Sequence, residues 1–416
     1  MRISTQSFYE QSQTAMNSQQ SNLLRVQQKI GAMTKILAPS DDPIGATRAL
    51  AVSQSIALNK QYAASRSQAT QTLSLEENAL QSVTSILQNI KGLVVQAGGV
   101  LSDADRATIA TTLRSNLEQL QGLANTDDGN GQFLFAGFKS GSPPFVKQAD
   151  GSIRYAGDQG QRLMQVDVSR QMAASDDGRS IFQTVQNGAG YVAASRVDVG
   201  SIAGNTGTGV FGAFSVADPT DVNYGKDFVI TFDDPATTYQ VDTTDVPSVN
   251  VVPGAGLLPN NYAAGEPIKF GGLQISISGA PAAGDSFSVA TAKNAGTDMF
   301  GAISDIIIAL EKPLDTGIAA NRAQLLNALS TGNKKITNAH DNVVTVRSSL
   351  GSRLLELDNL NDTGDSRTLY DRSYLSDLQD LDYASAISEF YQRQTALQAT
   401  QQVFVKTQQI SLLNYL

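Results

Sequence analysis

Leu73, Leu80, Leu87 and Val94 fall at every seventh residue, with Glu76, Val83, Ile90 and Ala97 at the intervening steps of three and four. The same spacing returns near the other end, in Leu329, Ile336, Val343, Leu350 and Leu357, with Ala339, Val346 and Leu360 between them. A seven-residue repeat sustained over several periods is the seam along which α-helices wrap on one another. It requires two long helices, each with one buried face. Local signals agree. Gly98-Gly99 stops the first ribbon as a helix C-terminus does. Ser102 and Asp105 form a capping box, with Asp in place of the usual Glu or Gln, and open a further helix with Ile109, Leu113, Leu117, Leu120 and Leu123 inward. In the second half, Ile303, Ile306, Ile307 and Leu310 make a short helix that breaks at Pro313.

Between the helical halves the pattern changes period. From the turn-rich Thr126-Asp127-Asp128-Gly129-Asn130-Gly131 to about residue 297 the chain is rich in Gly, Thr, Ser, Val and Asp. Alternating runs at 227–232, 273–277 and 286–289 are bounded by Gly or Pro, which predicts an antiparallel β region. Residues 200–210, GSIAGNTGTGV, read as a linker or loop between two β units. The fold class expected is therefore α+β: N- and C-terminal helical segments forming a coiled-coil rod or bundle, with an inserted antiparallel β region of one or two subdomains. Both termini then lie at one end of the rod.

The ends have their own chemistry. Met16, Leu23, Val26, Ile30, Met33 and Leu37 continue a stripe that would run roughly 50 Å at ~1.5 Å per residue. Ile387, Phe390, Leu397, Phe404 and Ser411, flanked by Val403 and Ile410, mark the last helix. Around both stripes the polar residues are mostly Gln, not Lys and Glu, so the charge pairs that fix the register of a free coiled coil are missing. This suits burial against other protein on several sides. The expectation is that both ends are poorly ordered in a single chain and become helical under neighbouring subunits. The alternative is an intramolecular hairpin of the two ends. Pro39-Ser40-Asp41-Asp42-Pro43 interrupts the first ribbon. Pro39 ends one helix, Asp42 caps the next, and Pro43 occupies its first turn, where a missing N–H is harmless. These residues form a joint, and a second break is expected at Asn361-Asp362-Thr363-Gly364-Asp365.

Composition excludes several classes of function. A chain of 416 residues holds two or three domains, and its formal charge of −9, with no Lys/Arg cluster, argues against nucleic acid or an anionic membrane as partner. With no Cys, there are no disulfides, thiol nucleophiles or thiolate metal sites. No apolar run is long enough to cross a bilayer, and MRISTQSFYEQSQ lacks the apolar core of a cleavable signal peptide. His340 is the sole histidine and lies beside the apolar stripe without a nucleophile elbow. Asp127-Asp128-Gly129-Asn130 lacks calcium-loop spacing, since Phe138 stands where the twelfth-position Glu belongs, and is read as a hairpin turn. Gly204-Asn205-Thr206-Gly207-Thr208-Gly209 is not a phosphate loop. Phe133, Phe135, Phe138 and Phe145 read as strand core. No catalytic, cofactor or metal residues are expected.

Taken in order, Met1-Arg2-Ile3-Ser4-Thr5, the Pro39–Pro43 break, Phe133-Leu134-Phe135-Ala136-Gly137, Pro143-Pro144-Phe145, Tyr155-Ala156-Gly157-Asp158-Gln159-Gly160, Asp380-Leu381-Asp382-Tyr383-Ala384 and Leu412-Leu413-Asn414-Tyr415-Leu416 carry a family likeness. The chain resembles the flagellin superfamily of axial proteins, on its hook-associated side. Filament flagellins share the ends, but their break usually reads Asp-Asp-Ala-Ala-Gly and they lack the Phe-Leu-Phe-Ala-Gly turn. The departure here is a longer β segment, about 200–297. The resemblance implies a structural, non-enzymatic subunit of the bacterial flagellum, extracellular, joining hook to filament. It implies a terminal coiled-coil domain, 1–42 with 380–416, in the inner wall of the tube. A helical rod, 43–132 with 298–379, and an outer β-rich domain, 133–297, with a division near 200, complete it. Partners implied are copies of itself in a ring, a neighbouring hook-associated protein and flagellin. A cytosolic chaperone would cover residues 384–416 before export by the flagellar type III pathway. The assembly interface expected is Met16, Leu23, Val26, Ile30, Met33, Leu37, Ile387, Phe390, Leu397, Phe404 and Ile410, with Pro39, Asp41, Asp42 and Pro43 as the joint. The other readings are a filament flagellin, or a glycan- or surface-binding module at 141–297 carried on the rod.

Overall fold

A computed structural model describes residues 5–197, 204–233, 237–245, 247–252, 260–314 and 319–413, with side chains of the end helices described from Ser7 to Lys406 apart from Phe8. The helices are α1 (Thr5–Ala32), α2 (Pro43–Ala97), α3 (Asp103–Ala124), α4 (Gly178–Phe182), α5 (Met299–Glu311), α6 (Ala319–Gln379) and α7 (Tyr383–Leu413). Between α3 and α5 run β1 (Phe145–Lys147), β2 (Ile153–Tyr155), β3 (Leu163–Asp167), β4 (Arg170–Ala173), β5 (Tyr191–Ser195), β6 (Val210–Phe211) and β7 (Ser215–Val216). They are followed by β8 (Phe228–Phe232), β9 (Thr238–Thr243), β10 (Asn260–Asn261), β11 (Pro267–Phe270), β12 (Leu273–Ser278) and β13 (Ser286–Thr291). This is the α+β arrangement that the change of period foretells. The chain divides into two compact units: Met1–Arg66, Val166–Val168 and Asp358–Leu416 in one, Ser67–Gln165 and Ser169–Leu357 in the other.

In the larger unit the heptad seams are the core. Leu73, Leu80, Val83, Leu87 and Ile90 are fully buried on α2, as are Ile336, Val343, Leu350 and Leu357 on α6. Each such side chain contributes roughly 1.5–3 kcal/mol by leaving water. The capping box forms as spelled: Asp105 N–H donates to Ser102 Oγ at 3.2 Å, and Ser102 N–H donates back to Asp105 Oδ2 at 3.3 Å. One turn on, the buried Arg106 donates from Nη1 to the Leu310 and Lys312 carbonyls, both at 3.0 Å, and so closes the C-terminus of α5.

The β segments serve two different cores. Phe135, Phe145, Ile153, Ile181 and Phe182 join the helical core, where Phe145 meets Phe182 edge-on with ring centroids 5.3 Å apart. From Tyr191 to Val289 a second core forms between a five-stranded antiparallel sheet, β10-β9-β8-β13-β5, and a sheet ordered β11-β12-β6 in which β7 also pairs β12. Phe228, Ile230 and Phe232 face inward from β8, Leu273, Ile275 and Ile277 from β12, and their neighbours turn outward, as a period of two requires.

Two expectations are overturned here. Residues 133–138 form no strand: Leu134 to Gly137 make a buried turn, while Phe138 is two-thirds exposed. The turn is held across the chain. Asp158 Oδ1 accepts the N–H of Phe138 at 2.9 Å and of Gly160 at 2.8 Å, and Tyr155 Oη donates within reach of the Phe135 and Asp158 carbonyls. Burial and the neighbouring Asp177 carboxylate push that phenol up to about 12. Residues 204–209 take the loop form expected of 200–210, pinned in place because the buried Asp285 accepts the N–H groups of Thr206 at 2.8 Å, Gly207 at 3.0 Å and Ala282 at 2.9 Å. The remainder of 200–210, up to residue 203, lies outside the described residues. Finally, α6 runs unbroken through Asn361–Asp365. Gly364 is there for close approach. A Cβ on it would stand 2.5 Å from Arg66 Nη2.

The α2 and α6 portions of the smaller unit meet through polar groups, not an apolar seam. Arg66, almost wholly buried, donates from Nε to Asn361 Oδ1 at 2.6 Å and from Nη1 to the Val166 carbonyl at 3.0 Å. Asn59 Nδ2 donates to the Gly364 carbonyl and to Thr368 Oγ1, both at 2.6 Å, and Ser55 Oγ donates to Asp371 at 2.8 Å.

Candidate assembly surface on the terminal helices

The helix α1 stops at Ala32, seven residues before Pro39. Met33 adopts a left-handed φ of 56°, and its N–H reaches back to the Ile30 carbonyl at 3.4 Å. The expected stripe is therefore cut short, and Met33 and Leu37 lie past the helix, exposed. Residues from both ends of the chain build a small joint at this point. Lys35 N–H donates to the Gln379 carbonyl at 2.8 Å, Leu381 N–H donates to the Met33 carbonyl at 3.3 Å, and Thr34 bridges Asp380. Thus the Pro39–Pro43 break and the Asp380–Asp382 break, separate in the sequence, lie side by side.

The two aspartates of the joint have different tasks. Asp42 Oδ1 accepts Gly45 N–H at 2.9 Å, and its carbonyl accepts Ala46 N–H at 2.9 Å, with Pro43 opening α2. That is an N-cap. Asp41 folds the loop onto itself, accepting Leu37 N–H at 3.1 Å and Ala38 N–H at 3.4 Å while pairing with Arg25. Burial works against its charge, but the Leu37 N–H, the Arg25 guanidinium and the Ala38 N–H outweigh it and hold the carboxyl below the usual range. Asp382 repeats the capping geometry for α7, taking Ala384 N–H at 3.0 Å and Ser385 N–H at 3.3 Å.

Beyond the joint, α1 and α7 pair with each other in a single chain. Both are helical without a neighbour, contrary to the expectation that subunit contacts are needed to order them. The alternative, a hairpin of the two ends within one chain, is the arrangement found. Tyr9 meets Phe404 with ring centroids 5.2 Å apart. The packing is one-sided, however. Among the described residues of 1–42 and 380–406 only Val26 and Ala386 are buried. Met16, Leu23, Ile30, Phe390, Leu397 and Phe404 are half-buried along the pair, and Ile387 is exposed; the Ile410 side chain lies outside the described residues. Sequence reasoning missed Tyr9, Leu24, Tyr391 and Val405, all exposed on these helices. Tyr9 was recoverable, since it stands one heptad before Met16.

Elsewhere, the residues with candidate chemistry have structural tasks. His340 Nδ1 lies 3.2 Å from Asp341 Oδ1 on the same helix, and Asp128 Oδ1 accepts Asn130 and Gln132 N–H groups at 2.9 and 3.1 Å in the expected hairpin turn. Among the described residues no group of His, Asp and Glu is arranged to hold a metal ion, and no helix is long and apolar enough to cross a membrane.

Helical ends that fold back on one another, a joint between both termini and a β region inserted between the halves define the flagellin type of axial protein. The bacterial flagellin N-terminal helical region matches residues 3–140, and the C-terminal helical region matches 333–416. The chain belongs to the flagellar hook-associated protein 3 family. It is 30% identical over 413 residues to flagellar hook-associated protein 3 of Salmonella typhimurium, covering 99% of this chain and 98% of that protein. The Escherichia coli protein of the same name is 29% identical with the same coverage. In three dimensions it is similar to flagellar hook associated protein-3 of Legionella pneumophila, with a TM-score of 0.69 and 29% identity over 79% of this chain and 98% of that one.

Proposed function

We propose that the chain is a structural subunit of the bacterial flagellum that joins hook to filament, without catalytic activity. The observation that carries this reading is the α1/α7 pair: two long helices with apolar residues along their length and only Val26 and Ala386 buried among those described. Such a surface needs further protein to cover it. The residues assigned to that contact are Met16, Leu23, Ile30, Met33, Leu37, Ile387, Phe390, Leu397, Phe404 and Ile410, Val26 being already buried within the chain, with Pro39, Asp41, Asp42 and Pro43 as a joint between terminal and rod segments. Residues 1–42 with 380–416 act as the polymer-contacting domain and 43–132 with 298–379 as the rod; of the expected outer region 133–297, the part up to Phe182 packs into the helical core and 191–291 serves as the outward β region. The partners are further copies in a ring, a neighbouring hook-associated protein and flagellin. Export carries the chain to an extracellular place on the flagellum, a cytosolic chaperone covering the C-terminal helix beforehand.

The test is a pair of variants in a strain lacking the native gene product. Leu23→Asp and Leu397→Asp each place a charge in the stripe. Cells are expected to keep hooks, release flagellin into the medium and carry no filaments, while exchange protection of residues 73–97 stays at the wild-type level. Normal filaments on cells carrying both variants would overturn the reading. So would loss of protection in 73–97, which would make these residues part of the chain's own core.

A further inference from the structure

Glu76 is the one acidic residue in the α2 seam. It lies between Leu73 and Leu80 and is fully removed from solvent. Neither carboxylate oxygen has a hydrogen-bond partner among the described residues. The Asp176 N–H and carboxyl group are its polar neighbours, but neither meets hydrogen-bond geometry. A carboxylate ionised in that position would lack the donors or counter-charge that every buried charge requires.

Arg353, the cation that faces Glu76, is engaged elsewhere through both terminal nitrogens, while its Nε–H is buried with no hydrogen-bond partner among the described residues. Asp176, in the segment leading into α4, and Arg353, on α6, are the charged groups facing Glu76. They form a largely buried ion pair with each other, and Arg353 Nη1 also donates to the Ala173 carbonyl at 3.1 Å. To one side Glu77 accepts from Arg347 Nε at 3.0 Å, and to the other Arg170 Nε donates to Glu356 at 2.6 Å. Each of these pairs is neutral as a whole. Glu76 is left as the unmatched negative charge of the cluster.

We propose that Glu76 is held protonated in the folded chain, and that its ionisation is a pH-operated release of the 174–177 segment from α2 and α6. Ala174, Ser175 and Asp177 are buried, and Asp177 caps α4 by accepting Ser180 N–H at 2.9 Å. Ile181 and Phe182 on α4 sit in the helical core, so a charge beneath 174–177 acts on that corner of the core. Burial raises the Glu76 carboxyl well above its ordinary value of 4.5, Asp176 adds to the rise, and Arg353 opposes it. Above that ordinary value the folded state binds more protons than the open state. The contribution is therefore complete below 4.5 and is lost as pH rises through the elevated value.

The test compares full-length wild type with Glu76→Gln by hydrogen exchange of residues 173–182, from about pH 5 to about pH 9, taking the ratio at each pH to cancel intrinsic exchange. The wild-type segment is expected to open progressively more than the variant as pH rises, by up to about tenfold per pH unit. Parallel profiles would overturn the proposal. If the variant fails to fold, infrared spectroscopy of the wild type decides: a neutral carboxyl C=O band that persists at neutral pH and bleaches on alkalinisation supports it, and absence of the band overturns it. Abolition of the pH dependence by Asp176→Asn but not by Glu76→Gln would assign the proton elsewhere and refute it.

Discussion

Gly137 and Gly129 offer a matched pair of substitutions to alanine. Both occupy the left-handed region, with φ of 69° and 81°, so each variant bears the conformational penalty of about 1–2 kcal/mol. They differ in surroundings. A Cβ on Gly129 meets open space, whereas on Gly137 it would stand 2.3 Å from Asp158 Oδ1 and 2.5 Å from the Asp158 carbonyl oxygen. The clash with fixed backbone adds about 1–3 kcal/mol, as overpacking does. Gly137→Ala should therefore lower the local opening free energy by about 2–5 kcal/mol, against about 1–2 kcal/mol for Gly129→Ala. Native-state hydrogen exchange reads this at the Phe138 and Gly160 amides, both of which donate to Asp158. They should lose protection steeply in Gly137→Ala and little in Gly129→Ala. Equal losses would show that only backbone freedom matters at Gly137, and that Asp158 does not organise the turn.

Ser102→Ala should destabilise the larger unit by about 1 kcal/mol, the usual value of an N-cap, measured as a lower urea midpoint with unchanged slope. An unchanged midpoint would mean the capping box is ornamental. The depressed Asp41 carboxyl makes the opposite pH prediction to Glu76: its contribution is present above the ordinary value of 3.8 and is lost as pH falls through its lower folded value. Exchange of the Leu37 and Ala38 amides should accelerate on acidification in wild type relative to Asp41→Asn, whose side chain carries no titrating proton.

Periodic apolar residues were readable because a helix or strand buries one face along its own length. Leu73 to Ala97, Leu329 to Leu357 and the alternating β8 and β12 are all of this kind. Ser102 and Asp105 were readable because a cap is spelled within four residues. What escaped depends on residues distant in the chain. Asn361-Asp362-Thr363-Gly364-Asp365 has the composition of a turn, yet remains helical because Asn59 and Arg66 use its polar groups and the space left by Gly364. Phe133 to Phe138 alternates like a strand, but Asp158 and Tyr155 pin it as a turn. The end of α1 at Ala32 is set by Met33 in a conformation no pattern of methionine announces. The cap at Asp42 was legible within its own few residues, while the pairing of the joint with Asp380 and Leu381 unites opposite ends of the sequence.

The polar lacing of Ser55, Asn59 and Arg66 to α6 gives the smaller unit an address without much adhesive. A slip of one helical turn would strand a guanidinium and two amides with nothing to bind, so misaligned versions are rejected even though little oil is hidden in the aligned one. A stretch of chain specified in this way can be undone with modest effort and still close again in the same place.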